Sequence, residues 1–282
     1  MDTFQPEGRL AHLAATALRA ETPLGDGRMV WHEWGSGPPL VLLHGGAGSW
    51  RHWARNIEPL SRRRRVLVPD LPGLGESDLP PAGADLWTIA ALVAAGIMAR
   101  LGRGTGYALA GFSFGAIIAG HIAARTQLEA EVTSLTLLGA GALGLPRRPT
   151  ALVSVRDREG KERLAAHREN LARLMIANPT RIDAEALAIQ AWNSDHARFR
   201  SRRVTTPTSL RDALETVHAP LRVIYGEQDA IVVPHLAARI DFFRARGTET
   251  LVVPGAGHWV AFEAPEAVNA RLGGSVSGTN LI

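Results

Sequence analysis

"GYALAGFSFGAIIAG", residues 106–120, changes character at a single hydroxyl, Ser113. Upstream, residues 106–111 form a nearly continuous apolar run of the kind that makes a buried strand, and from Phe114 to residue 127 the pattern is helical. Between them stands Gly-x-Ser-x-Gly, Gly111-Phe112-Ser113-Phe114-Gly115. A serine at a strand-to-helix turn takes a strained backbone conformation that lifts its Oγ clear of the sheet. The flanking positions are glycine because side chains there would collide with neighbouring backbone. The helix N-terminus beside the serine favours developing negative charge. Such a hydroxyl is a poor nucleophile until a base removes its proton, so the turn predicts a histidine and an acid elsewhere in the chain.

Working outward, the same alternation of short apolar runs and helical stretches recurs. "PLVLLHG" (39–45), "RVLVPD" (65–70), "SLTLLGA" (134–140), "LRVIYG" (221–226) and "ETLVVPG" (249–255) read as buried parallel strands. "MVWHEWG" (29–35) alternates like an exposed edge strand. Helical patterns fill the gaps at 86–102, 114–127 and 234–247. The fold class expected is α/β, a mostly parallel sheet with helices on both faces. Residues 143–216 break the alternation. They lack a clear strand and read as amphipathic helices ("KERLAAHRENLARLMIANP", "DAEALAIQAW") joined by proline-marked turns. The domain division expected is therefore a core of 1–142 and 217–282 with a helical cap, 143–216, inserted in it. The tail "GGSVSGTNLI" (273–282) is expected to carry little order.

Composition narrows the chemistry. With 282 residues and 46% hydrophobic content the chain can bury one sizeable core. It has no cysteine, which excludes disulfides, thiolate metal sites and a cysteine nucleophile and agrees with a cytoplasmic location. Neither a signal peptide nor a membrane span is read in the sequence. The net charge of +4 comes from the basic segment 143–216, and "RRRR" (62–65) reads as a solvated turn leading into a strand. No nucleic-acid recognition motif accompanies the charge, so no nucleic-acid partner is expected.

The elbow at Ser113 resembles that of the α/β-hydrolase family, whose order is serine, acid, histidine. In "LRVIYGEQDAIVVP" Asp229 follows a strand where that family places its acid. Glu227 is the weaker rival, since the strand-Gly-x-x-Asp pattern matches Asp229. In "VVPGAGHWVAFEAPEAVN" His258 sits on a glycine-rich loop after the last strand and before a helix. The resemblance implies a catalytic set of Ser113, Asp229 and His258. "PLVLLHGGAGSWRHW" (39–53) resembles the family's His-Gly loop, which implies an oxyanion hole built from the backbone N–H groups of Gly46 and Phe114. His44 is then a structural histidine and Asp70, in "PDLPGLGESD", a structural acid. A dinucleotide-binding turn is the rival reading of the loop, and it fails because position 51 is arginine.

These parts imply a serine hydrolase that cleaves a small-molecule ester through an acyl-enzyme, with no metal and no cofactor. The His-Gly-Gly loop and the pair His258-Trp259 also look like those of carbon–carbon hydrolases that act on aromatic ring-fission products. Acyltransferases and small-molecule receptors use the same fold. Ala47 departs from the proline of the iminopeptidase loop. Trp192 and Trp259 are the candidates for the substrate pocket. The cluster His196, Arg198, Arg200, Arg202 and Arg203 raises the expectation of a carboxylate-bearing substrate, against a plain solvated face in a chain whose only lysine is Lys161. The oligomeric state is not legible.

Overall fold

Alternation along the strands sorts the side chains into two cores, one on each face of the sheet. The computed structural model describes residues 6–125 and 132–274. In chain order its elements are α1 (Pro6–Thr16), β1 (Leu18–Leu24), β2 (Gly27–Trp34), β3 (Pro39–Leu43), α2 (Ala54–Ser61), β4 (Arg65–Pro69), α3 (Leu86–Leu101), β5 (Tyr107–Phe112), α4 (Phe114–Arg125) and β6 (Val132–Leu138). There follow α5 (Gly160–Asn170), α6 (Ala184–Asp195), α7 (Ser209–Leu214), β7 (Leu221–Gly226), α8 (Leu236–Arg244), β8 (Glu249–Val253), α9 (Val260–Glu263) and α10 (Pro265–Gly273). The eight strands form one sheet in the order β1-β2-β4-β3-β5-β6-β7-β8. β1, β2 and β4 are joined by antiparallel pairing, and every pair from β4 through β3 to β8 is parallel.

On β3 and β5, Val41, Leu43, Tyr107 and Leu109 enter one core while Leu40, Leu42, Ala108 and Ala110 enter the other, as a period of two requires. α3, α4 and α8 close the first core, and α2, α9 and α10 close the second. The helix boundaries follow local chemistry. α3 begins where the Asp85 carboxylate accepts the Thr88 N–H at 2.8 Å, and it ends at Gly102, whose φ of +86° suits glycine.

Register in the parallel part aligns the strand ends. Leu43 pairs with Gly111, Phe112 with Leu138, Leu138 with Ile224 and Gly226 with Val253. The loops after β3, β5, β7 and β8 therefore open on the same carboxyl edge of the sheet, where parallel α/β sheets bind ligands.

Two strand readings are corrected. Residues 29–35 are not an edge strand: β2 is flanked by β1 and β4, and Met29–Trp34 are all buried. The true edge, β1, reads "LRAETPL", and an edge strand with charges and a proline has no apolar run to announce it. At the opposite end β8 is itself an edge and is only half buried over most of its length. The basic run ends as expected, with Arg62 and Arg63 exposed in a turn. Its last member, Arg65, instead joins Arg100 on the buried carboxylate of Glu33, at 2.7 and 2.6 Å.

Residues 143–216 hold three α-helices and no strand. α7, read as part of the insertion, packs on α4, with Leu210 in the first core and its Cδ1 2.4 Å from where a Cβ on Gly120 would stand. Residues 126–127 of the expected helix and 275–282 of the tail lie outside the described residues. No helix among the described residues is long and apolar enough to cross a membrane.

Candidate active site

Ser113 has a φ of +54°, in the left-handed region that costs a non-glycine residue free energy, and β5 and α4 hold it there from both sides. Its N–H donates to Leu138 O at 2.9 Å, while the first turn of α4 closes on its carbonyl through Ala116 N at 3.0 Å. A Cβ on Gly111 would stand 2.2 Å from Gly115 O, and one on Gly115 would stand 2.3 Å from Leu43 O. Both positions must be glycine for strand and helix to approach this closely.

The serine is not alone. Its Oγ donates to His258 Nε2 at 3.0 Å, and His258 Nδ1–H donates to Asp229 Oδ2 at 2.8 Å. A carboxylate can only accept, so Asp229 selects the tautomer that leaves Nε2 free to take the serine proton. Asp229 is fully buried, and its second oxygen accepts Ile231 N–H at 2.9 Å, which fixes its direction. Glu227, the rival acid, is exposed and accepts Gly255 N–H instead. Phe112 packs on the His258 ring at 5.0 Å between centroids, and Gly139, at φ +55°, passes His258 Cε1 so closely that a Cβ there would lie 2.9 Å away. Three residues far apart in sequence thus meet in one row of hydrogen bonds: hydroxyl, imidazole and carboxylate.

The loop after β3 runs along the start of α4. A Cβ on Gly45 would lie 3.4 Å from Ser113 Cβ, and one on Gly46 would lie 3.8 Å from Phe114 Cβ. Phe114 opens α4, so its N–H has no acceptor within the helix. His44 holds this loop: its Nδ1–H donates to Gly45 O and its Nε2 accepts Leu71 N–H, both at 2.8 Å. Asp70 accepts Trp50 N–H at 2.8 Å and Glu76 N–H at 2.9 Å, tying the loop to the one after β4. Both residues do structural work, as expected.

Beside His258 opens a cavity of about 650 Å³, a volume suited to a small organic ligand. It is walled by the irregular segment 148–151, by residues 172–177, and by the loop after β7. Trp192 and Trp259 do not line it. Trp259 is fully enclosed, with its indole N–H on His52 O at 2.9 Å. Trp192 is half buried, stacked on His196 at 3.8 Å and covered on its other face by the Arg51 guanidinium at 3.5 Å. Arg198, Arg200, Arg202 and Arg203 are exposed and lie outside the cavity lining, whereas Arg148 and Arg173 belong to it. No motif in the sequence marks these wall residues. Nor does one mark Glu263, a buried carboxylate that accepts Gly257 N–H at 2.6 Å.

Burial sets the charge state around the loop. It pushes His32 and His44 down to about 4 and His52 well below the usual histidine value, so all three are neutral. It pushes Asp70 up to about 7. The signs follow by linkage: below about pH 6.5 the unfolded chain binds protons that the folded histidines refuse, and stability falls as the pH falls towards 4. Asp70 acts oppositely, taking up its proton in the folded state first as the pH falls through 7. Going from pH 7 to 5 costs about 2 kcal/mol for each of His32 and His44, Asp70 offsets roughly one of them, and His52 adds in the same direction as the histidines. Urea unfolding at the two pH values is expected to show a lower midpoint at pH 5. An equal or higher midpoint would contradict the buried neutral histidines.

The sequence profile described as the alpha/beta hydrolase family matches residues 40–271. Among known proteins the chain is 30% identical over 266 residues to the dihydrolipoyllysine-residue acetyltransferase component of the acetoin cleaving system of Pseudomonas putida. That match covers 87% of this chain and 66% of the relative, so the chain spans just under two thirds of that protein. It is 28% identical over 267 residues to a 2-hydroxy-6-oxononadienedioate/2-hydroxy-6-oxononatrienedioate hydrolase of Burkholderia vietnamiensis, covering 87% and 89% of the two chains. Among solved structures, a bacterial membrane phospholipase A superposes with a TM-score of 0.69 at 26% identity, over 95% of this chain and 90% of that one. With the sheet order, the elbow at Ser113 and a family match that spans all but the two ends, the chain belongs to the alpha/beta hydrolase family.

Proposed function

We propose that the protein is a serine hydrolase that cleaves a small-molecule carboxylic ester through an acyl-enzyme. The observation that carries this reading is the unbroken row from Ser113 Oγ to His258 to Asp229, at 3.0 and 2.8 Å. His258 Nε2 takes the serine proton as Oγ attacks the carbonyl carbon, and Asp229 stabilises the imidazolium that forms. The N–H groups of Gly46 and Phe114 receive the negative charge on the carbonyl oxygen. His258 returns the proton to the departing alcohol as the carbon–oxygen bond breaks, leaving an ester on Ser113. Water then attacks that ester with the same histidine as base, and Ser113 is regenerated with release of the acid.

The cavity beside His258 receives part of the substrate. We read residues 143–216 as a cap over the core formed by 1–142 and 217–282. Its inner segments support this: Ser201 Oγ lies 3.1 Å from the place of a Gly46 Cβ, and Met175 O accepts Trp259 N–H at 2.7 Å. The part that covers the site ends before α7.

A second reading, cleavage of a carbon–carbon bond in a ring-fission product, is favoured by the likeness to the Burkholderia hydrolase along 89% of that protein's length. One screen separates the two. Aryl and alkyl esters, with and without a terminal carboxylate, are assayed beside lactones and vinylogous diketo acids, with the Ser113→Ala protein as blank. Turnover of esters above the blank supports the first reading. Turnover of the diketo acids alone replaces it by the second, and turnover equal to the blank throughout overturns both.

A further inference from the structure

His258 sits on a loop, and a loop does not hold an imidazole to a few tenths of an ångström by itself. Two hydrogen bonds pin the backbone on either side of it. Trp259 N–H donates to Met175 O at 2.7 Å, and Gly257 N–H donates to Glu263 Oε2 at 2.6 Å. The Glu263 carboxylate does more than accept that one bond. Its Oε2 also accepts Ala177 N–H at 3.0 Å, and its Oε1 accepts Asn178 N–H at 3.2 Å. Glu263 is 3% exposed, and among the described residues no arginine or lysine side chain pairs with its carboxylate oxygens. A buried carboxylate satisfied only by backbone donors is held by directed bonds rather than by a counter-ion, and each donor comes from a segment that touches the site.

The approach is tight. A Cβ at Gly257 would lie 2.7 Å from Ala177 N, 2.8 Å from Glu263 Oε2 and 3.0 Å from Met175 O, so the residue before His258 must be glycine for the three segments to meet. The Arg181 guanidinium also donates to the Glu263 carbonyl. Residues 175–178, the histidine loop and α9 are thus fastened at one carboxylate.

We infer that Glu263 is a positioning residue for His258. By binding Gly257 N–H and the Ala177 and Asn178 N–H groups together, it sets the height of the histidine loop over Ser113 and couples that height to the seating of the inserted segment. Glu263 does not touch Ser113, Asp229 or the imidazole, so its effect passes through His258. The inference rests on His258 being the base. Replacing the carboxylate by an amide points an NH₂ group at one of three backbone donors, which forces the loop or the inserted segment to move. A displacement near 1 Å costs about 10- to 100-fold in rate.

The test is a double-mutant cycle on the full chain with a p-nitrophenyl ester: wild type, Glu263→Gln, His258→Ala and the double variant, each checked for folding by thermal melting. If Glu263 acts through His258, Glu263→Gln lowers kcat about 10- to 100-fold in the wild-type background with KM changed less than kcat, and less than about 2-fold in the His258→Ala background. An equal drop in both backgrounds, or no drop in the first, overturns the inference. Glu263→Asp, which keeps the charge on a shorter arm, carries the same cycle if Glu263→Gln does not fold. Failure of both to fold assigns Glu263 to stability and also overturns the positioning role. Should His258→Ala alone leave kcat unchanged, the proposed base is wrong, an outcome distinct from failure of the coupling.

Discussion

Ser113→Ala is expected to leave the fold intact and lower kcat by on the order of 10⁶-fold. Alanine is no larger than serine, and it meets the same backbone cost at φ +54°, so the elbow keeps its shape. The hydrogen bond to His258 is lost, and with it the hydroxyl proposed to attack the carbonyl carbon. What remains is binding and the oxyanion donors, which in comparable sites still leave catalysis above that of water. Thermal melting together with kcat on an ester from the screen checks both halves. A folded Ser113→Ala protein within tenfold of wild type would remove the nucleophile from the mechanism.

Asp229→Asn is expected to lower kcat by on the order of 10⁴-fold at neutral pH while the protein stays folded. The amide is nearly isosteric and can still accept Ile231 N–H on its oxygen. Its NH₂ group then faces His258 Nδ1, which must turn from donor to acceptor, so the proton moves to Nε2. In that tautomer the histidine cannot take the serine proton. The same substitution at Glu227 serves as the control, because Glu227 is exposed and bonds Gly255 rather than the imidazole. Glu227→Gln is expected to leave kcat within a factor of 2 to 3, because Glu227, though on the cavity wall, bonds neither Ser113 nor His258. The opposite ranking of the two variants would hand the acid's role to Glu227.

The parts of the molecule that could be read from sequence are those in which local chemistry settles the structure. Five residues from Gly111 to Gly115 were enough to place the turn, because backbone crowding at that turn leaves glycine as the only choice on either side. The central strands were legible because a strand buried on both faces must be apolar throughout. β1 was not, since its side chains alternate between solvent and the core beneath α3, and its charges and proline break any apolar run in "LRAETPL". With β1 hidden in this way, residues 29–35 look like the edge of the sheet. Asp229 and His258 are singled out in the sequence by the family resemblance, but their meeting depends on the register that aligns the ends of β5, β7 and β8.

Contacts made between distant segments were the least legible. Arg51 lies between the rings of Trp50 and Trp192, an arrangement that only the packing of α6 against the loop after β3 creates. In sequence, Trp192 looks like a pocket residue because it stands among arginines, yet its ring faces are spent on Arg51 and His196. Glu263, in "VAFEAPE", looks like an exposed helical acid. Its burial becomes visible only when Gly257, Ala177 and Asn178 are seen to turn their N–H groups toward it. A buried acid without a basic partner leaves no mark in composition or periodicity.

The most direct test of the central claim is covalent labelling of the native protein with a fluorophosphonate, read by intact mass and peptide mapping. The geometry at Ser113 predicts a single adduct, on the peptide carrying Ser113, formed in the wild type and absent in Ser113→Ala. It also predicts slow labelling in Asp229→Asn, because the probe needs the same activated oxygen as the substrate. An adduct on any other residue, or no adduct on folded wild-type protein, would contradict the assignment of Ser113 as the nucleophile.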